Sequence, residues 1–147
     1  MTWMQRAIGL GVLALGKTGD NPNVGCVLVR GGQVLGEGFT QPPGGSHAEV
    51  QAQADAQAKG FDIAGADLYT TVEPCSFHGR TPSCARAIVD WGIKRVLIGI
   101  RDPHPRVNGA GIRIMTEAGI EVVEGVCNDD VAASLSQWLN GCKGRDQ

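Results

Sequence analysis

VGCVLVRGGQVLGEGF, residues 24–39, reads as two strands folded back on each other. Val24–Val29 is a β-branched apolar run, Arg30-Gly31-Gly32 supplies hairpin-turn chemistry, and Gln33–Phe39 returns as the second strand. Upstream, Trp3, Met4, Ala7, Ile8, Leu10, Gly11, Leu13 and Ala14 recur at helical spacing, so the chain is predicted to open with a helix that Gly16 and Gly19 end. Asn21-Pro22-Asn23 is turn chemistry. Downstream, Pro42, Pro43, Gly44 and Gly45 form a loop. Ser46 is placed to cap a helix from about His47 to Lys59, with Glu49 three residues on as in a capping box.

The rest of the chain alternates. A strand over Ala66–Val72, a loop over Glu73–Pro82 and a helix over Ser83–Trp91 are expected. Arg95–Ile100 is a continuous apolar strand of the kind buried on both faces. Asp102-Pro103-His104-Pro105 is a loop, followed by a helix over Ala110–Ala118, a strand over Ile120–Val123 and a last helix over Asp129–Leu139. The order implies an α/β fold of three layers, a mixed five-stranded sheet covered by helices, with right-handed crossovers and parallel later strands. Ligands in such sheets bind beyond the strand carboxyl ends, where loops meet helix N-termini.

Bulk properties bound the function. The 147 residues suit one domain over 1–147, with 42% apolar and 19% charged residues, a globular balance. The net charge of −2 and the lack of a Lys/Arg run argue against a nucleic-acid partner but leave room for a compact phosphate pocket. The five cysteines (Cys26, Cys75, Cys84, Cys127 and Cys142) are odd in number and do not suggest a secreted disulfide framework. No signal peptide is evident, and no apolar run approaches the roughly 20 residues of a membrane span. A cytoplasmic location with no membrane partner is expected.

Two segments carry chemistry: His47-Ala48-Glu49, and Glu73-Pro74-Cys75 followed by Cys84. Each opens or precedes a helix, whose N-terminal N–H groups and partial positive charge favour thiolates. One imidazole and two thiolates are three zinc ligands, and a catalytic zinc keeps a fourth position open. Glu49 is then placed to shuttle protons without being a ligand. This resembles the zinc deaminase signature, although eight residues, Ser76–Ser83, separate the cysteines where two are usual. Competing readings are a capped surface histidine at position 47 and a structural zinc site completed by His78 or another cysteine. With only three histidines in the chain, the pattern favours a catalytic centre. Cys26, inside an apolar strand, reads as a small buried hydrophobe.

These residues resemble the deaminase half of the bifunctional deaminase/reductase of riboflavin biosynthesis, from about Met4 to Asn140. The motifs that carry the likeness are Asn21-Pro22-Asn23-Val24-Gly25, His47-Ala48-Glu49-Val50, Glu73-Pro74-Cys75-Ser76 with Gly79-Arg80-Thr81-Pro82 and Cys84, and Asp102-Pro103-His104-Pro105 with Gly109 and Gly111. The long cysteine spacing is that family's own variant. The resemblance implies a cytidine-deaminase-like fold, zinc as the cofactor, and a diaminopyrimidinone ribosylamino 5′-phosphate as the substrate. Asn21, Ala48, Arg80, Asp102 and His104 would line its pocket, Arg80 meeting the phosphate. Thr40 and Phe77 stand where the family has histidine, His104 where it has asparagine, and Ser83 where it has proline. Thr40, Phe77 and His104 are expected to face the substrate.

Alternatives are a stand-alone deaminase of another nucleobase, nucleoside or nucleotide, and a non-catalytic zinc-binding subunit, for which Glu49 would have no use. A homo-oligomer, with a dimer favoured, and a separate reductase are the candidate protein partners.

Overall fold

A computed structural model of the chain describes residues 2–19, 21–43, 45–76, 83–103 and 108–145. Helix α1 (Trp3–Ala14) opens with a capping box at Thr2, whose side chain accepts the Gln5 N–H while Gln5 reaches back to the Thr2 N–H. Strands β1 (Gly25–Arg30) and β2 (Gln33–Phe39) form the expected hairpin. Gly31 and Gly32, with φ of 59° and 78°, make the turn, whose two left-handed positions only glycine adopts without strain. Then follow α2 (Ala48–Ala58), β3 (Asp67–Val72), α3 (Cys84–Asp90), β4 (Arg95–Ile100), α4 (Ala110–Glu117) and β5 (Glu121–Val123).

The C-terminal segment departs from the single predicted helix. It forms α5 (Asn128–Ser134) and α6 (Ser136–Arg145), broken at Leu135. One local and one long-range hydrogen bond sit at the break: the Ser134 hydroxyl donates to the Val131 carbonyl, and the Ser134 carbonyl accepts from the buried Asn23 side chain. Among the described residues, no helix is long and apolar enough to cross a membrane.

The sheet order is β2-β1-β3-β4-β5. Strand β1 is antiparallel to both neighbours, while β3, β4 and β5 are parallel to one another. Strands β2, β3 and β4 therefore all end at one edge, and β1 begins there. The four-residue apolar centre of β4, Val96–Gly99, is fully buried, as a strand covered on both faces must be.

Successive residues of a strand point to opposite faces. On β1, Gly25 meets α1 and Cys26 meets α2, so these helices cover opposite faces. Helix α1 also packs on α5, and α3 packs on α4. Helix α2 settles on β2 through small residues: Ala48, Ala52 and Ala56 are buried against Gly36 and Gly38. A Cβ at Gly38 would overlap the Ala48 carbonyl and the Ala52 amide, neither of which can step aside without moving the helix. Gly38→Ala is expected to destabilise the fold by about 1–3 kcal/mol, as overpacked cores do, with urea denaturation reading the shift in midpoint.

Candidate metal centre

The loops at the shared strand edge deliver the reactive side chains. His47, not Ser46, occupies the N-cap of α2, in extended backbone (φ −69°, ψ 162°) with no capping bond from its side chain. A capping box needs the cap side chain folded back on the helix. Here the imidazole turns away, and Glu49 is left one position short of the box. Glu49 lies in the first turn and is 5% exposed.

Cys75 follows β3 and is clasped to the start of α3. Its carbonyl accepts the Ala85 N–H at 3.0 Å and its Sγ accepts the Cys84 N–H at 3.2 Å. Ser83 caps α3 by accepting the Arg86 N–H at 3.2 Å, so Cys84 is the first residue of that helix. The long cysteine spacing thus closes because α3 begins on Cys75. The intervening loop, including Phe77, Gly79, Arg80 and Pro82, lies outside the described residues.

His47 Nδ1 is 3.1 Å from Cys84 Sγ and 3.8 Å from Cys75 Sγ, and all three ligand atoms lie within 4.8 Å of one another. Tetrahedral zinc with its usual bond lengths wants such donors about 3.5–3.8 Å apart. The donor set fits zinc in type, a shift of about half an ångström at the 3.1 Å pair brings it to that spacing, and it is the one such group among the described residues.

Hydrogen bonding from Cys84 holds the Cys75 thiol well below its ordinary pKa, and His47 adds to the effect. The same contact, with burial, pushes Cys84 up. A bound cation would favour the thiolate form of both sulfurs. The Cys75 contact raises the His47 imidazole against the opposing effect of burial. Burial pushes the Glu49 carboxyl above the ordinary range, with Cys84 opposing.

Glu73 was legible in the sequence only as part of a motif. In the structure it is 3% exposed and accepts four backbone N–H groups: Asp102 at 3.3 Å and Gly109 at 3.0 Å on Oε1, Gly111 at 3.0 Å and Ile112 at 3.3 Å on Oε2. It thereby ties the end of β3 to the loop after β4 and to the N-terminus of α4. No local pattern announces this, because its partners lie some thirty to forty residues away.

The expected pocket residues divide. Ala48 opens α2, so its N–H is one the helix itself cannot pair. Asn21 precedes β1 and Asp102 follows β4, both on loops at the same edge; Thr18 and Asn21 hold the first of these loops by mutual bonds. Arg80 and His104 lie outside the described residues. Thr40, expected to face the substrate, is engaged with the chain before β1: its hydroxyl donates to the Pro22 carbonyl at 2.8 Å and accepts the Val24 N–H at 2.9 Å.

A His/Cys/Cys cradle beside a buried carboxylate, at the carboxyl edge of a mixed sheet, defines a metal-assisted hydrolytic enzyme. The family model for the cytidine and deoxycytidylate deaminase zinc-binding region matches residues 1–100, and the chain belongs to that family of zinc-dependent deaminases. The riboflavin biosynthesis protein RibD of Actinobacillus pleuropneumoniae is 44% identical over 133 residues, covering 90% of this chain and 35% of its own length. A Thermotoga maritima diaminohydroxyphosphoribosylaminopyrimidine deaminase/5-amino-6-(5-phosphoribosylamino)uracil reductase superposes with a TM-score of 0.92 at 43% identity, over 97% of this chain and 41% of that one. A cyanophage dCMP deaminase shares the fold at 22% identity, with a TM-score of 0.68 over 83% of this chain and 93% of that one. This chain thus spans about a third of the RibD relative it matches.

Elemental analysis is expected to find about one zinc per chain, and a strong chelator to abolish activity that added zinc restores. Cys75→Ala is expected to lose the metal and to lower the melting temperature, since ligand binding and folding are linked.

Proposed function

We propose that this chain catalyses hydrolytic deamination of a diaminopyrimidinone bearing a ribosylamino 5′-phosphate. The observation that carries a deaminase reading is the position of Glu49: a buried carboxyl on the first turn of the helix that His47 begins. When bound by His47, Cys75 and Cys84, zinc supplies the Lewis acidity that lets water attack near neutral pH. Glu49, its pKa lifted by burial, takes a proton from that water as a C–O bond forms at the ring carbon bearing the amino group. It delivers that proton to the ring nitrogen, then carries the proton of the new hydroxyl to the departing amine. The C–N bond breaks, ammonia leaves and the ring keeps a carbonyl. The Ala48 N–H holds a polar atom of the ring, and the N-terminus of α2 favours the developing negative charge.

The substrate assignment rests on the likeness to RibD over 90% of this chain and on the motifs shared with its deaminase half. Asn21 and Asp102 flank the pocket in this reading, His104 contributes from the loop after β4, and Arg80 pairs with the phosphate. Residues 1–147 act as one domain, in the cytoplasm, without a nucleic-acid partner. The reductase step falls to a separate protein or domain. Val12, Leu13 and Leu15, 49%, 59% and 42% exposed at the end of α1, give an apolar surface suited to pairing with a second copy.

Glu49→Gln is expected to keep zinc and fold while kcat falls by about 10²- to 10⁴-fold, the range for loss of a general acid–base group. Near wild-type ammonia release by that variant would refute the role. For the substrate, kcat/KM on the ribosylamino 5′-phosphate is expected to exceed that on its dephosphorylated form by about 100-fold, roughly 2.7 kcal/mol of transition-state binding. Equal values would favour a smaller substrate, such as a free base or nucleoside.

A further inference from the structure

Cys26 is a fully buried thiol on β1, an interior strand of the sheet, and is not one of the three metal-binding candidates. Strand β1 places it between Gly38 on β2 and Thr70 on β3. Its side chain points toward α2, which Gly38 admits close to the sheet because no Cβ stands in the way. That approach brings the first turn of α2 over β1, and Cys26 Sγ lies 3.5 Å from Glu49 Oε1, within reach of a sulfur hydrogen bond. The neighbouring hydroxyl cannot take this part with the same proton, because Thr70 Oγ1 donates to the Val72 carbonyl at 2.9 Å. Burial, together with the Glu49 charge, keeps Cys26 in the thiol form.

We propose that Cys26 is a positioning residue: its S–H donates to Glu49 Oε1 and fixes the carboxylate so that Oε2 carries the proton during deamination. A carboxylate on a two-carbon stem has rotamer freedom to lose, and a buried donor beneath one oxygen removes it without adding a charge. Packing alone does not require a thiol here, since cysteine fills space as a small hydrophobe does. Donation does require one, or a hydroxyl.

The inference rests on Glu49 being the proton carrier, and the experiment separates the two. Cys26→Ala, Cys26→Val, Cys26→Ser and Glu49→Gln are made in the full chain. Each is assayed for zinc content, melting temperature and ammonia release from the diaminopyrimidinone ribosylamino 5′-phosphate. Cys26→Ala and Cys26→Val are expected to lower kcat by about 10- to 100-fold, as loss of a supporting hydrogen bond does, with about one zinc per chain retained. KM is expected to stay within about two-fold of the parent, because the lost contact does not touch the substrate. Cys26→Ser is expected to recover most of kcat while remaining less stable than the parent, so that activity and melting temperature rank the variants differently. If kcat instead follows melting temperature across the set, or if Cys26→Ala matches the parent while Glu49→Gln is inactive, the thiol is packing and the inference fails alone. If Glu49→Gln keeps turnover, the assignment of Glu49 fails and takes this inference with it.

Discussion

The close seat of α2 on β2 is the constraint on which the rest of the centre depends. Gly36 and Gly38 offer bare backbone to Ala48, Ala52 and Ala56, and side chains at those glycines would collide with the helix backbone. Because the helix lies so low, its N-terminus reaches the carboxyl edge with His47 turned outward and Glu49 turned down over β1. The same closeness excludes water from Glu49, which lifts its pKa. Position and chemistry of the carboxyl thus have one cause.

Sheet topology does the rest of the assembly. With β1 running against both neighbours, β2, β3 and β4 end at one edge, and each is followed by a loop that carries a functional segment. Two of these loops are joined by Glu73, whose carboxylate accepts N–H groups from the loop after β4 and from the first turn of α4. The other junction is Cys75, whose sulfur and carbonyl both receive N–H groups from the start of α3. The ligand loop is thus tied to two helix N-termini, where backbone donors favour negative charge.

Burial and hydrogen bonding differ between the two cysteines of the centre. Cys75, partly exposed, accepts the Cys84 N–H at its sulfur, while the Cys84 side chain is buried on the first turn of α3. With His47 they form a donor set that would hold a divalent cation, whose charge would favour both thiolates. Beneath it, Glu49 and Cys26 form a neutral-donor, acid-acceptor pair inside the sheet–helix interface. The centre therefore has an outer, metal-facing layer and an inner layer that steadies the carboxyl.

Much of this was legible in residue order. The hairpin at Arg30-Gly31-Gly32, the apolar run of β4 and the alternation of strands with helices define a mixed sheet, because local periodicity and turn chemistry act over a few residues. His47, Glu49, Cys75 and Cys84 declared themselves by type and spacing, since few other roles use that set. What only the tertiary structure decided are relations between distant residues. Ser46 yields the cap to His47, Thr40 pins the chain before β1, Asn23 donates to the Ser134 carbonyl where the last helix divides, Glu73 gathers four N–H groups, and Cys26 meets Glu49 across the interface. None has a local signal, because each depends on which surfaces packing brings together. A buried polar group must find its partner wherever the fold puts one.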